Sequence, residues 1–433
     1  MSRRTQFREN DEEASRNFSP NEHSSLLGKS KRKANSAWNT TRAFLRLNYC
    51  NILLPIVPVA LVFGFLDVNP VAIFVLNFLA IVPLASVLSD ATEELAEHVG
   101  HTLGGLLNAT FGNATELIIS IFALKKGEIR IVQASMLGSI LSNMLLVLGM
   151  CFFFGGLGRS EQTFNNTAAS TMASLMAVAS ASLIIPAALY QTMALTKEPN
   201  FDSILLLSRA TAIVILILYL MYIYFQFYSH HRFFTEDGGT TQLARETESQ
   251  HTNGGSTATT TPSGAPQDAV LTRNQAAVVL FLATVIVSIC ADYLVKTIDN
   301  IVDAVGLSKT FIGLILIPIV GNAAEHVTSV VVAMEDKMNL AVNIAIGSGL
   351  QIALLVTPLL VILGWIIGQP MSLYFQTFET VVFFVSVLVA NFLILDGKSN
   401  YLEGAMLIGI YAIIAVSFYV YPDNAVNNGF GPH

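Results

Sequence analysis

Two short stretches of the chain place a carboxylate inside a long apolar segment, shortly after a Gly-Asn pair. The first contains Asn113 and Glu116, and the second contains Asn322 and Glu325. A carboxylate at the centre of a bilayer costs about 2.5–3.5 kcal/mol on insertion scales, so it indicates a functional site. The two copies lie 209 residues apart (325 − 116). We interpret them as a cation site in the middle of a membrane.

The spacing within each motif places two candidate ligands on the same face of a helix. Each Asn precedes its Glu by three residues, and such positions share a helix face. The preceding glycine weakens the helix, and a kinked or broken helix would expose backbone carbonyls, which lipid tolerates only around a cavity. Hard cations such as Ca²⁺ take about 6–8 oxygen ligands. Helix packing through small residues is the alternative, but packing needs no carboxylate.

The helix after each motif is also polar on one side. These side chains could complete the ligand shell or hold the carboxylates. The candidates after the first motif are Gln133, Ser135, Ser139, Ser142 and Asn143, and those after the second are Asn343, Ser348 and Gln351. Ser139 and Ser348 coincide under the shift of 209 residues. The alternative is a set of hydrogen bonds between Gly- and Ser-rich helices, as membrane bundles commonly form.

Three acidic residues, Glu93, Glu94 and Glu97, follow the second apolar segment at helical spacing. A cluster of one charge at the mouth of a cleft raises the local concentration of cations. We expect a cytoplasmic mouth for cation uptake here, although a solvated helix end would carry the same residues.

Composition places the chain in a membrane. Of its 433 residues 53% are hydrophobic and only 12% charged, against about 25% charged in soluble domains. The net charge of −7 gives no indication of nucleic-acid binding. Three cysteines have no metal-ligand or disulfide spacing, and no His-Glu-x-x-His motif of a metalloprotease occurs. We expect no enzyme activity and no resident cofactor.

Apolar segments of about 20 residues predict membrane helices. Eleven candidates occur, at 48–66, 69–89, 102–124, 130–155, 167–190, 203–228, 273–296, 309–333, 339–367, 372–395 and 401–421. The basic N-terminal tail predicts a cytoplasmic N-terminus. Lys125, Lys126 and Arg130 oppose this orientation, because they fall on a loop that it places on the lumenal side.

The shift of 209 residues aligns further glycines and acids, namely Asp90 with Asp299, Glu94 with Asp303, Gly104 with Gly313, and Gly138 with Gly347. Five helices per copy is an odd number, so the second copy must enter the membrane inverted, as in many secondary transporters. We predict an all-α polytopic membrane protein with about 11 transmembrane helices, one N-terminal helix plus two inverted five-helix repeats. The predicted parts are a disordered cytoplasmic tail (1–43), the first helix (44–66), the first repeat (67–228), a cytoplasmic linker (229–272), the second repeat (273–421) and a C-terminal tail (422–433).

Both motifs resemble the two signature repeats of the cation/Ca²⁺ exchanger superfamily. The second, Gly321 to His326, is most similar to the Ca²⁺/H⁺ antiporter family, in particular to the fungal vacuolar exchangers. The resemblance implies residence in the vacuolar membrane and a cytoplasmic approach past Glu93. It also implies Ca²⁺ binding, and the implied ligands and neighbours are Glu116, Glu325, Asn113, Asn322, Ser348 and Gln351. Members often carry a strongly acidic helix in the linker, whereas this linker has only scattered acids.

The mechanism implied is alternating access with competition. Glu116 and Glu325 would bind Ca²⁺ when ionised and carry protons when not, so that an acidic lumen expels Ca²⁺. Exchange driven by Na⁺ or K⁺ remains an alternative, since the same oxygens could hold Na⁺, and a passive cation channel is a less favoured one. The expected partners are Ca²⁺, H⁺ and membrane lipid, without nucleic acid, and a homo-oligomer stays open.

Overall fold

A computed structural model describes residues 49–195, 201–230 and 271–421. After a 3₁₀ turn at Tyr49–Leu53, the helices in chain order are α1 Ile56–Leu66, α2 Pro70–Val99, α3 His101–Phe111, α4 Ala114–Lys125, α5 Ile129–Gly156, α6 Asn166–Leu195, α7 Phe201–Tyr224, α8 Arg273–Lys296, α9 Ile298–Val305, α10 Lys309–Gly321, α11 Ala323–Met334, α12 Met338–Ile367, α13 Thr377–Ile394 and α14 Tyr401–Val420. Two short strands, β1 Gln162–Thr163 and β2 Lys398–Ser399, pair antiparallel. The predicted tails and most of the predicted linker lie outside the described residues.

Within the described ranges, eight helices are long and apolar enough to cross a bilayer, and two bent pairs, α3 with α4 and α10 with α11, add two more. This confirms the prediction of an all-α polytopic membrane protein. At the first predicted span the structure has α1, a helix of 11 residues. At 1.5 Å per residue it is about 16 Å long, shorter than the hydrocarbon core of about 30 Å. The count of eleven spans therefore stays a prediction.

Helix α5 lies at the centre of the bundle and other helices surround it. The most apolar part of α5 is 78% buried, whereas those of α7 and α14 are 28% buried. Large apolar side chains such as Phe281, Phe392 and Ile413 are exposed on the outer helices. An outward apolar surface of this extent suits a lipid environment.

One end of the bundle, here called the linker side, carries both ends of the predicted linker. The backbone N–H of Leu271, just before α8, donates to Glu94 Oε2 near the end of α2 (3.0 Å). On the same side, Arg159 after α5 pairs with Asp336 after α11 (3.7 Å). The β1–β2 pair also lies on this side, since Gln162 donates to Asp336 (2.9 Å).

Ion pairs hold the other end, here called the opposite side. Lys309 Nζ at the start of α10 lies 2.6 Å from Asp299 Oδ1 and 3.0 Å from Glu128 Oε2. Arg130 in the first turn of α5 pairs with Glu379 of α13, its Nη1 donating to Oε2 (2.9 Å). Glu379 is buried, so breaking this pair would leave an uncompensated charge. Arg130 is therefore paired within the bundle rather than a free charge on a loop. It no longer counts against a cytoplasmic N-terminus, although Lys125 and Lys126 still do.

Helix ends recur under the 209-residue shift. Helix α4 spans 114–125 and α11 spans 323–334, and α5 and α12 begin at residues 129 and 338. Each of α5 and α12 also contains a π-helical segment, Ser142–Val147 and Ile352–Val356 respectively. Helix α4 ends on the opposite side, whereas α11 ends at Met334, whose carbonyl accepts from Arg159 on the linker side (3.2 Å). These two helices run in opposite directions, as an inverted repeat requires.

Helices α5 and α14 meet through glycines. A Cβ atom at Gly404 of α14 would lie 2.6 Å from the carbonyl oxygen of Gly149 and would also collide with the backbone N of Phe153. Small residues permit such backbone contact between membrane helices.

We predict that Gly404→Ala destabilises the protein by roughly 1–3 kcal/mol, because backbone atoms cannot rotate away from the added methyl group. The melting temperature of the detergent-solubilised protein would measure this. Gly409→Ala is the matched control, since nothing lies within 4 Å of a Cβ at Gly409 on the same helix and alanine favours helix formation. Equal melting temperatures for the two variants would contradict the proposed contact.

Candidate cation site

Both motifs lie at a break between two half-helices. The axis bends by 46° between α3 and α4 and by 54° between α10 and α11. Asn113 (φ −104°, ψ 25°) and Asn322 (φ −86°, ψ 9°) occupy the sparsely populated bridge region at the breaks. Glu116 and Glu325 follow in the first turn of the second half-helix. A helix N-terminus favours a carboxylate in that turn, so the fold partly stabilises each buried acid.

A hydrogen-bond network centred on Ser348 joins the two repeats. Its Oγ lies 2.9 Å from Glu325 Oε2 and 3.1 Å from Asn113 Oδ1. Asn143 Nδ2 of α5 donates to Ser348 Oγ (3.1 Å). Asn113 Nδ2 donates to Gln351 Oε1 (2.6 Å). The network thus brings together five of the candidate residues from the sequence, namely Asn113, Asn143, Glu325, Ser348 and Gln351.

Glu116 approaches the same centre from the first repeat. It is buried, and a Cβ at Gly321 would lie 2.7 Å from Glu116 Oε1. The carboxylate therefore rests against the backbone at the second break, where any side chain would displace it. The two acids from the two repeats face one common region.

The half of the site around Glu116 has polar atoms without hydrogen-bond partners. Among the described residues, Glu116 Oε2, Ser139 Oγ and both amide atoms of Asn322 are buried and have no partner. Under the 209-residue shift these three residues correspond to Glu325, Ser348 and Asn113, which are hydrogen-bonded to one another through Ser348. An unpaired buried polar group costs about 1–3 kcal/mol, so the three oxygens among these atoms, Glu116 Oε2, Ser139 Oγ and Asn322 Oδ1, are candidates for binding a cation.

Two serines one turn beyond the acids extend this set. Ser120 follows Glu116 by four residues and Ser329 follows Glu325 by four, and both Oγ atoms are buried without a partner in the described ranges. Neither Ser120 nor Ser329 is named as a ligand in the sequence analysis. The same shift that aligns the two acids aligns Ser120 with Ser329, and this match is a signal that could have found both. Asn143, which is named there, has no polar counterpart, because the shift aligns it with Ile352.

The donor set is typical of a hard cation. No group of three or more His, Cys, Asp and Glu side chains that could hold a metal occurs in the described part of the chain. The candidate shell must therefore consist of two carboxylates with amide and hydroxyl oxygens. Oxygen ligands of this kind suit Ca²⁺ and related ions rather than zinc or copper.

The structure leaves other predicted residues outside the central network. Gln133 Nε2 donates to the carbonyl of Ser372 (2.9 Å) between α12 and α13, on the opposite side. This geometry does not favour a role as a ligand. Glu93 and Glu97 are exposed on the linker side, as expected for a mouth. Glu94, by contrast, is engaged with the Leu271 backbone, so its contact is structural.

His326 stabilises the second break. Its Nδ1 donates to the carbonyl of Asn322 (2.6 Å), and its Nε2 lies 3.3 Å from the hydroxyl of Ser142. A carbonyl can only accept, so Nδ1 carries the proton in this contact. The same carbonyl also accepts from the backbone N–H of His326 (2.9 Å), so the imidazole adds a second hydrogen bond to it and links α11 to α5.

Buried acids at two broken helices, brought together from inversely oriented halves, define the class of secondary ion transporters. The chain belongs to the sodium/calcium exchanger protein family, whose profile matches residues 69–228 and 275–420. These two segments coincide with the two halves of the membrane bundle, on either side of the predicted linker.

Curated relatives and solved structures agree with this membership. The vacuolar calcium ion transporter of Schizosaccharomyces pombe is 46% identical over 383 residues, covering 88% of this chain and 87% of the relative. The Ca²⁺/H⁺ antiporter of Aphanothece halophytica is 43% identical and covers 86% and 96%, respectively. The structure of native YfkE superposes with a TM-score of 0.70 at 35% identity, covering 86% of this chain and 100% of YfkE. Another structure of YfkE describes it as a Ca²⁺/H⁺ antiporter protein.

We predict that Ser348→Ala weakens divalent-cation binding about 10-fold. The change removes the oxygen that contacts Glu325, Asn113 and Asn143, and leaving such buried groups unpaired costs about 1–3 kcal/mol. Titration calorimetry of the purified protein with Ca²⁺ would measure the affinity. Ser417→Ala is the matched control, because the Ser417 hydroxyl donates only to the carbonyl of Ile413 in its own helix (2.8 Å). Unchanged Ca²⁺ affinity in Ser348→Ala would show that this network is not part of the ion site.

Proposed function

We propose that this chain exchanges Ca²⁺ for protons at the site formed by Glu116 and Glu325. The observation that carries the proposal is the network around Ser348, because it offers a place for a proton on Glu325. The names of the relatives, a vacuolar calcium ion transporter and a Ca²⁺/H⁺ antiporter, support the choice of ions.

The number of protons available in the network favours a protonated Glu325. Ser348 has a single hydroxyl proton but lies within hydrogen-bond distance of two acceptors, Glu325 Oε2 and Asn113 Oδ1. If Glu325 is ionised, one of these acceptors loses its donor. If Glu325 is protonated, it donates to Ser348, and Ser348 donates to Asn113. Each contact in the network then has its own proton.

Removing that proton prepares the site for a cation. An ionised Glu325 and an ionised Glu116 balance the charge of one Ca²⁺. The oxygens of Ser139 and Asn322, which have no partner among the described residues, would help to reach the about 6–8 ligands that Ca²⁺ requires. Protons and Ca²⁺ compete for the same carboxylates, and this competition couples their movements.

Coupling to protons provides enough free energy to accumulate Ca²⁺ against its gradient. One pH unit is worth about 1.4 kcal/mol per proton. Two protons for each Ca²⁺, one per carboxylate, would support a Ca²⁺ gradient of about 100-fold per pH unit. This exchange is electroneutral, so the membrane potential would not oppose it.

The proposal also assigns a location and an orientation. The name of the Schizosaccharomyces pombe relative supports the vacuolar membrane, and the basic N-terminal tail supports a cytoplasmic N-terminus. The linker side then faces the cytoplasm, where the exposed Glu93 and Glu97 would attract cations. Ca²⁺ would leave into an acidic lumen. Ca²⁺ and protons are substrates here, and the proposal involves no resident cofactor and no enzymatic reaction.

We predict that Glu116→Gln and Glu325→Gln each abolish proton-driven Ca²⁺ uptake, because an amide can neither neutralise Ca²⁺ nor release a proton. Uptake into vesicles with an imposed pH gradient would measure this. Glu335→Gln, at an exposed acid in the loop after α11, is the control and should transport normally. Normal uptake by either buried-acid variant would refute the assignment.

The Na⁺- or K⁺-driven alternative is tested by changing the gradient. In the same vesicles, a Na⁺ or K⁺ gradient at equal pH on both sides should drive no Ca²⁺ uptake. Uptake under those conditions would favour the alternative, and Ca²⁺ flux that ignores all gradients except its own would indicate a channel.

A further inference from the structure

Helix α7 carries an arginine within its membrane-spanning part. Arg209 lies seven residues after Asp202, where the apolar span Asp202–Ser229 begins. This span of 28 residues is about 42 Å long at 1.5 Å per residue, whereas the hydrocarbon core of a bilayer is about 30 Å thick. A centred span therefore places the Arg209 backbone about 4–5 Å inside the hydrocarbon edge, on the opposite side of the bundle, where α7 begins.

The Arg209 guanidinium has no acidic partner in the part of the chain that the structure describes. None of the ion pairs there includes Arg209. Its Cζ atom instead lies 4.9 Å from the centroid of the Trp365 indole ring in α12. Trp365 is 51% exposed, and a cation–π contact at an exposed ring is weak compared with the cost of a charge in hydrocarbon. The positive charge therefore needs an anion that the described residues do not supply.

Helix geometry directs Arg209 towards the lipid headgroups of the nearer leaflet. The Cα–Cβ bonds of an α-helix tilt towards its N-terminus, and the N-terminus of α7 lies on the opposite side. A long side chain can then place its charge at the level of the phosphates while its stem stays in the apolar region. Trp365 marks the same level, because it lies two residues before the end of α12 and tryptophan is typical of the membrane–water interface.

An exposed apolar stripe continues from Arg209 towards the middle of the membrane. Ile213, Ile217 and Leu220 follow Arg209 at helical spacing on one face of α7. They are 45%, 53% and 65% exposed, respectively. The stripe has the chemistry and the direction to contact an acyl chain whose headgroup lies beside Arg209.

We infer that Arg209, Trp365 and this apolar stripe form a binding site for an anionic phospholipid of the leaflet on the opposite side. The planar guanidinium can pair with the lipid phosphate through two parallel N–H···O hydrogen bonds. A headgroup without an ammonium group is favoured, because a zwitterionic headgroup already neutralises its own phosphate. This inference goes beyond ion exchange and holds whichever ions the protein exchanges.

The site adjoins the contacts that fix the loop after α12. Ser208, next to Arg209, accepts from the backbone N–H of Leu373 (2.9 Å). The carbonyl of the neighbouring Ser372 accepts from Gln133 of α5 (2.9 Å). A lipid held between α7 and α12 supports the packing on which this loop depends, and a ligand that binds only the folded state stabilises it.

Trp365 itself can report on the bound lipid. The full-length protein, with the other tryptophan, Trp38, replaced by Phe, is reconstituted in phosphatidylcholine vesicles that contain a minor fraction of lipid with brominated acyl chains, which quench tryptophan on contact. Brominated phosphatidylglycerol should quench Trp365 roughly 2-fold more than brominated phosphatidylcholine at the same content, because Arg209 concentrates the anionic lipid beside it. Arg209→Gln should remove this difference, and Arg209→Lys should keep part of it.

Lys296→Gln is the matched control. Lys296 ends α8 on the same side of the bundle and pairs with Asp292, so its loss should leave the full difference between the two lipids. Arg209→Gln protein that melts with the wild type in detergent without added lipid is folded, and the comparison of the two lipids in the wild type needs no variant.

Three results would overturn the inference. The first is equal quenching of the wild-type protein by the two brominated lipids, or an undiminished difference in Arg209→Gln. The second is a lack of quenching by either lipid, which would mean that another copy of the protein covers this face. The third is relief of the quenching by inorganic phosphate, which would mean that Arg209 binds a soluble anion.

Discussion

Two carboxylates buried among apolar helices constrain the rest of this structure. A buried charge without partners costs several kcal/mol, so each acid must find hydrogen bonds, a helix N-terminus or a counterion. The breaks at Asn113 and Asn322 supply the first turn of a new helix at each acid. The residues around the breaks are accordingly small or polar, and Gly321 leaves room for the carboxylate of Glu116 from the other repeat. Both halves of the protein therefore contribute to the site.

The two halves satisfy this constraint in different ways. Glu325 is hydrogen-bonded through Ser348, while Glu116 Oε2 has no partner among the described residues. The same inequality recurs in the packing, because Gly138 of α5 lies against the backbone of α10, whereas nothing in the described structure lies within 4 Å of a Cβ at its counterpart Gly347. A symmetric pair of half-helices would open the site to both sides or to neither, and neither arrangement supports coupled exchange. The asymmetry within the repeat is therefore a functional property of the fold.

Much of this architecture follows from the sequence. The 209-residue shift predicts the counterparts of helices, breaks and acids, because inverted repeats preserve local sequence. The sequence also predicts that Ser348 and Gln351 join the site. It does not predict the contact of Gln133 with Ser372 or the pairing of Arg130 with Glu379, since these depend on loop paths and on partners 239 and 249 residues apart. Nor does the repeat reveal which copy packs its first half-helix against the helix that follows the motif, because Gly138 and its counterpart Gly347 are both glycines.

The π-helical segments at Ser142–Val147 and Ile352–Val356 change which way each central helix faces. Eleven residues separate Gly138 from Gly149, and in a regular α-helix that spacing returns to nearly the same direction, about 20° away. One inserted residue rotates the second half by about a quarter turn. Gly138 can then face α10 while Gly149 faces α14. The central helix thereby offers α10 and α14 separate surfaces, so that a change in the packing of one need not disturb the packing of the other.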